Sequence, residues 1–257
     1  MIKVKRTVIN IFLILCIVVA AGSGTLLVRE TVRSWENQEV LESAARLVEE
    51  VVKERMEARG GVVAKDDRLL GYDRLRRQNR DFVGWVCIQG TGIDYPVMQT
   101  KTGEDFYLDH NFEGEPSAYG VPFVDGSCEL EEEDCRNVAV YGHHMKDQSM
   151  FADLIRYEEQ SYQKEHPVIL FDTWKERGEY QIIGILRVPD VEEEMAFYRN
   201  MQCGDEKQYE AFVKEVKGRS LYDCGVGDVE GEPLLTLITC EYSTKDGRMV
   251  VVAKKIS

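Results

Sequence analysis

Leu234-Leu235-Thr236-Leu237-Ile238-Thr239-Cys240 is an apolar run broken only by threonines, and Arg248-Met249-Val250-Val251-Val252-Ala253 follows after the polar turn Glu241-Tyr242-Ser243. Two apolar, β-branched runs with a polar break between them read as neighbouring β-strands. Because successive side chains in a strand point to opposite faces, Thr236, Ile238 and Cys240 share one face. In the second run Met249 and Val251 lie on one face and Val250 and Val252 on the other. The pair therefore predicts a cysteine at one strand end and a guanidinium at the start of the next.

Reading outward, the chain from residue 82 is a series of short β-type runs divided by turn residues. Residues 86–89 and 93–99 flank Gly90-Thr91-Gly92 as a hairpin-like pair. Further runs cover 120–124, 137–141, 168–172, 180–188, 234–240 and 248–256, with helical patterns inserted at 150–157 and 206–216. Six to eight short strands with a few inserted helices predict a mainly β fold, closed or nearly closed into a barrel. Upstream, Val40, Leu41, Ala44, Leu47, Val48, Val51 and Val52 recur at helical spacing in 34–59, which Gly60-Gly61 ends. A second helix is expected over about 67–79. The division is a tail at 1–6, an apolar anchor at 7–28, a helical stalk and N-terminal helices at 29–80, and the barrel at 81–257.

Residues 7–28 carry no charge and, at about 20 residues, suffice to cross a bilayer as a helix. Lys3, Lys5 and Arg6 precede them, which places the tail in the cytoplasm and the rest outside the cell, in a single-pass arrangement. A cleaved signal peptide is the competing reading, but its apolar region is ordinarily shorter, about 7–15 residues. The formal charge of −14 argues against nucleic-acid binding. Seven cysteines are present. Cys128 and Cys135 bracket an acidic stretch and can close a small surface disulfide, with Cys203 and Cys224 a second possible pair. No spacing among them resembles a paired zinc motif.

Tyr141-Gly142-His143-His144-Met145 places a histidine where the apolar run 137–141 opens into a loop. Cys240, His143 and Arg248 then provide the three functions that acyl transfer through a thioester requires: a nucleophile, a proton carrier and a cation for the developing oxyanion. Each has a plainer alternative. Cysteine is often a buried packing residue, a lone histidine is often surface filler, and a charge at a strand start is often only solvated. The polar turn after Cys240 favours an exposed strand end. His144 points away from His143 if the backbone is extended, which also disfavours a metal site built on the two.

These fragments resemble the sortases, the cysteine transpeptidases of Gram-positive cell surfaces. Thr236-Leu237-Ile238-Thr239-Cys240 matches their nucleophile motif, His143 the histidine after a strand-end glycine, and Arg248 the arginine of the next strand. Asp81-Phe82-Val83-Gly84-Trp85, residues 93–97, Tyr107-Leu108, residues 120–125 and Tyr141 to Met145 with Met150-Phe151 look like class B members. The resemblance implies an eight-stranded barrel with N-terminal helices and an inserted helix before the last two strands. It implies a membrane-anchored thiol peptidase and acyltransferase, with no cofactor and no metal. Its partners are secreted surface proteins bearing a C-terminal sorting signal and a peptidoglycan-precursor amine. Leu108, Phe197, Tyr198 and Glu241 are implied as substrate-groove residues. A pilin-polymerising enzyme, a hydrolase that passes the acyl group to water, and a catalytically silent surface-binding module are the alternatives.

Overall fold

The structure is a computed structural model. It describes residues 31–257 apart from Ser34, Val63, Lys65, 102–104, Ser127, Glu129, 131–134, 190–194, Glu230 and 242–246. The expected anchor at 7–28 lies outside the described residues. Among the described residues no helix is long and apolar enough to cross a membrane. The chain divides into two units at Glu39 and Val40. In the first, residues 31–33 and 35–39 are helical.

The second unit opens with helix α1 (residues 40–58) and helix α2 (Asp67–Gln78). Eight strands follow: β1 (Phe82–Cys87), β2 (Asp94–Met98), β3 (Phe123–Val124), β4 (Asn137–Tyr141), β5 (Val168–Thr173), β6 (Glu179–Val188), β7 (Leu234–Glu241) and β8 (Gly247–Lys255). They close into a barrel in the order β1-β2-β3-β4-β7-β8-β6-β5. Closure leaves no unpaired sheet edge. The expected barrel is thus present, and β4 has the predicted bounds. The stretch 120–124 contributes only a two-residue strand. Helices α3 (Gln160–Glu165) and α4 (Met195–Met201) are too short to carry a periodic signal, and the pattern at 150–157 forms a 3-10 helix, Ala152–Glu158. The predicted inserted helix is α5 (Glu206–Arg219).

Alternation assigns each strand two faces. Val138, Val140, Leu235, Leu237, Met249, Val251 and Ala253 fill the barrel interior. Ala139, Leu234, Ile238, Val250 and Val252 point outward and are covered by Phe197, Met201, Phe212 and Val216 of α4 and α5. A third core joins Ala44 and Val48 of α1 to Tyr72 and Leu75 of α2 and to Phe82, Trp85 and Met98 of the barrel. Tyr72 secures that junction, donating to Asp172 Oδ2 at 3.1 Å and stacking on Trp85. A buried hydroxyl must find such a partner or lose its hydration uncompensated.

Cys128 and Cys135 are disulfide-bonded, as expected, although Cys128 is buried against the barrel interior and not at the surface. The possible Cys203–Cys224 bond is absent. Cys203 packs with the α4–α5 layer and Cys224 against the barrel core, and both are free thiols.

Helix α5 lies close against the sheet at Gly184, where a Cβ would stand 2.5 Å from Val216 Cγ1. Gly184→Val should force the helix outward and destabilise the fold by about 1–3 kcal/mol. Chemical denaturation followed by tryptophan fluorescence checks this, and a loss below about 0.5 kcal/mol would contradict the packing described.

Candidate active site

Strand β7 lies between a parallel and an antiparallel neighbour. Its register with β8 pairs Cys240 directly with Arg248, and its register with β4 pairs Tyr141 with Ile238. The β4 ladder runs one residue further, for the Gly142 N–H donates to the Ile238 carbonyl at 3.0 Å. Continued by one more residue, that register sets His143 level with Cys240. His143, Cys240 and Arg248 therefore end three adjacent outward-facing rows, those of Ala139 and Tyr141, of Leu234 and Ile238, and of Val250 and Val252. Ile238 bonds toward β4, so Cys240, two residues on, does the same. The Cys240–Arg248 pair is consequently of the non-hydrogen-bonded kind, in which facing side chains come closest, with Cα atoms about 4.5 Å apart.

The surroundings hold each member of the row. Thr239, on the opposite face, donates its hydroxyl to the Gly142 carbonyl at 2.8 Å and ties the start of the histidine loop to β7. The loop closes through the Phe151 N–H, which donates to the His143 carbonyl at 2.8 Å. The His143 ring lies with Nε2 at 2.7 Å from the Leu108 carbonyl. A carbonyl only accepts, so Nε2 carries the proton there and Nδ1 of a neutral ring is left as the base. Gly120 sets that carbonyl: its φ is +57°, and a Cβ would stand 2.6 Å from the Leu108 oxygen. Arg248 lies beside Tyr141, which burial together with Asp125 and Tyr198 holds as a neutral phenol well above the usual tyrosine range, while Arg248 opposes the shift.

The groove residues expected from sequence fall in different places. Leu108 is 41% exposed and belongs to the 3-10 turn Phe106–Leu108 that carries the His143 contact. Tyr198 is nearly buried, and its hydroxyl donates to the Pro189 carbonyl at 3.1 Å. Phe197 has no exposed surface; it packs against Phe212 and under Arg219, so it serves the helix layer and not a groove wall. Glu241 closes β7, and its side chain lies outside the described residues. Sequence reasoning gave no sign of the Leu108 carbonyl contact, since a backbone acceptor has no residue-type signature. His144, set aside in the sequence, places Nδ1 at 3.3 Å from the Cys240 carbonyl.

A closed eight-stranded barrel with a cysteine and an arginine paired across its last two strands defines the architecture of a cysteine transpeptidase. The family model for the sortase domain matches residues 86–256. Sortase B of Staphylococcus aureus (strain NCTC 8325 / PS 47) is 34% identical over 187 residues, which cover 72% of this chain and 74% of that relative. A structure of a Staphylococcus aureus sortase B–substrate complex superposes with a TM-score of 0.72 at 28% identity, covering 88% of this chain and 99% of that one. A sortase B complexed with triglycine gives 0.70 at 28% identity, covering 87% and 99%. The chain belongs to the sortase family and, within it, to class B.

Burial pushes Cys87 and Cys224 up to about 11 and Cys203 up to about 12, so all three are protonated thiols at neutral pH. The thiolate is the reacting form. Among the cysteines of the described residues, iodoacetamide at pH 7 should label Cys240 first, with Cys87 and Cys224 following only as the pH approaches 11. Peptide mapping by mass spectrometry measures this, and labelling of Cys203 ahead of Cys240 would contradict it.

Proposed function

We propose that this transpeptidase uses Cys240 as nucleophile, His143 as proton carrier and Arg248 as oxyanion partner. It cleaves a C-terminal sorting signal of secreted proteins and joins the acyl group to a peptidoglycan-precursor amine. The observation that carries the reading is the register that pairs Cys240 with Arg248, beside a β4–β7 register which, carried two residues past Tyr141–Ile238, brings His143 level with Cys240. Sulfur of Cys240, its proton passed to His143, adds to the scissile carbonyl, and negative charge moves onto its oxygen. Arg248, always charged and able to donate two hydrogen bonds, faces that oxygen from the next strand. His143 gives a proton to the departing amine as the carbon–nitrogen bond breaks, leaving an acyl thioester on Cys240. The thioester favours attack by an amine, which yields a proton to His143 as the new amide forms; His143 passes that proton to the departing sulfur, and the thiol is regenerated.

Leu108 and Tyr198 are the proposed contacts for the signal, Leu108 through its exposed side chain, with Glu241 beside the nucleophile. The triglycine ligand of the sortase B relative is a peptide bearing a free amine, which supports an amine acceptor here. Residues 7–28 are proposed as a single-pass anchor with the N-terminus cytoplasmic and the barrel outside the cell. That topology brings Cys240 to substrates already exported.

The test uses the full chain with a panel of fluorogenic sorting-signal peptides, with and without added amine. Wild type should cleave one of them, carry an acyl adduct on Cys240 and form an amide product when amine is present; Cys240→Ala should do none of these. Arg248→Ala should lower kcat/KM by about 10²–10³-fold. Cleavage surviving in Cys240→Ala, or an Arg248→Ala rate within twofold of wild type, overturns the assignment.

A further inference from the structure

We propose that His144 is a positioning residue for the nucleophile, its imidazole supplying the hydrogen bond that the β4–β7 ladder would otherwise lose at Cys240. This rests on the reading of Cys240 as the nucleophile. In a parallel pair the rungs recur every two residues. The last backbone rung runs from the Gly142 N–H to the Ile238 carbonyl. The next acceptor on β7 is the Cys240 carbonyl, and the next backbone donor would be the His144 N–H. At that point, however, the chain turns away from β7 into an antiparallel bridge between His144 and Met150. The rung is restored by the ring: His144 Nδ1 lies 3.3 Å from the Cys240 oxygen.

A carbonyl cannot donate, so Nδ1 of His144 bears the proton. The contact matters because Cys240 stands one residue from the end of β7. Holding its carbonyl fixes the peptide plane that follows Cα at the strand end, and with it the backbone that carries Sγ. Adjacent histidines thus have different duties. His143 is held by Nε2 against Leu108 and His144 by Nδ1 against Cys240. In their neutral forms they are opposite tautomers.

Asparagine and aspartate separate this role from mere bulk. Each has the atom bonded to Cγ that overlays histidine Nδ1, but asparagine can offer an N–H there and aspartate only an acceptor oxygen. In the full chain, the first readout is the rate of Cys240 alkylation by iodoacetamide at pH 7, which needs no peptide substrate. Melting temperature is recorded for every variant. His144→Ala and His144→Asp should slow alkylation by about fivefold to tenfold, the scale of one lost hydrogen bond, while His144→Asn stays within about threefold of wild type. With a cleavable peptide the same order should appear in kcat, with KM changed less than twofold.

Equal rates for the Asn and Asp variants, or an Ala variant that alkylates as fast as wild type, overturn the proposal. The expected alkylation order without cleavage of any peptide supports the positioning role and counts against the transpeptidation reading instead.

Discussion

The register of β7 between its two neighbours is the constraint on which the remainder depends. In a β-sheet the side-chain period is two, so a slip of one residue on either side of β7 would send Cys240 into the barrel interior or carry Arg248 away from it. The buried pattern prevents such a slip. Leu235 and Leu237 point inward while Leu234 and Ile238 point outward, and all four are essentially free of solvent. Two polar ties add to this: Thr236 donates to Asn137 Oδ1 at 2.9 Å, and Asn137 donates to the Met201 carbonyl at 2.7 Å. Both side chains are buried, so breaking either bond would leave a polar group without a partner.

The outer face of β4, β7, β8 and β6 would be an apolar surface without the segment inserted between β6 and β7. Helices α4 and α5 cover it through Phe197, Phe212 and Val216. The layer stops short of the row formed by His143, Cys240 and Arg248, where Cys240 is only partly buried. Ile238 and Cys240 occupy the same strand face two residues apart, yet one is core and the other is accessible. Among the described residues, α4 and α5 cover Ile238 through Phe197, Phe212 and Val216.

The histidine loop is held from several directions at once. Thr239 reaches it from β7, Phe151 closes it from the following segment, and the Leu108 carbonyl meets the ring of His143. Such overdetermination suits the proton carrier proposed for His143, because misplacement by about 1 Å can cost a factor of about a hundred in rate. At the other side of the barrel, Tyr72, Asp172 and Trp85 bind α2 to β1 and β5, so the N-terminal helices are part of the same packed unit from Val40 onward.

The apolar, β-branched runs at 234–240, 248–256 and 137–141 determined locally that these segments are strands, and the strand period of two determined which residues share a face. The same text placed Cys240 and Arg248 at facing strand ends, and the motif residues carried the family. Short elements were not legible: α3 and α4 span six and seven residues, about two turns or less, and β3 is set by pairing with Met98 and Tyr141 and not by its own composition. Phe197 is expected in the groove only from the family resemblance, and a matched position does not declare which surface its aromatic side chain meets. The contacts of His143 with Leu108 and of His144 with Cys240 join residues 35 and 96 positions apart. Only closure of the barrel brings such distant backbone acceptors to the rings, because pairing of β4 with β7 is a long-range event that no local propensity encodes.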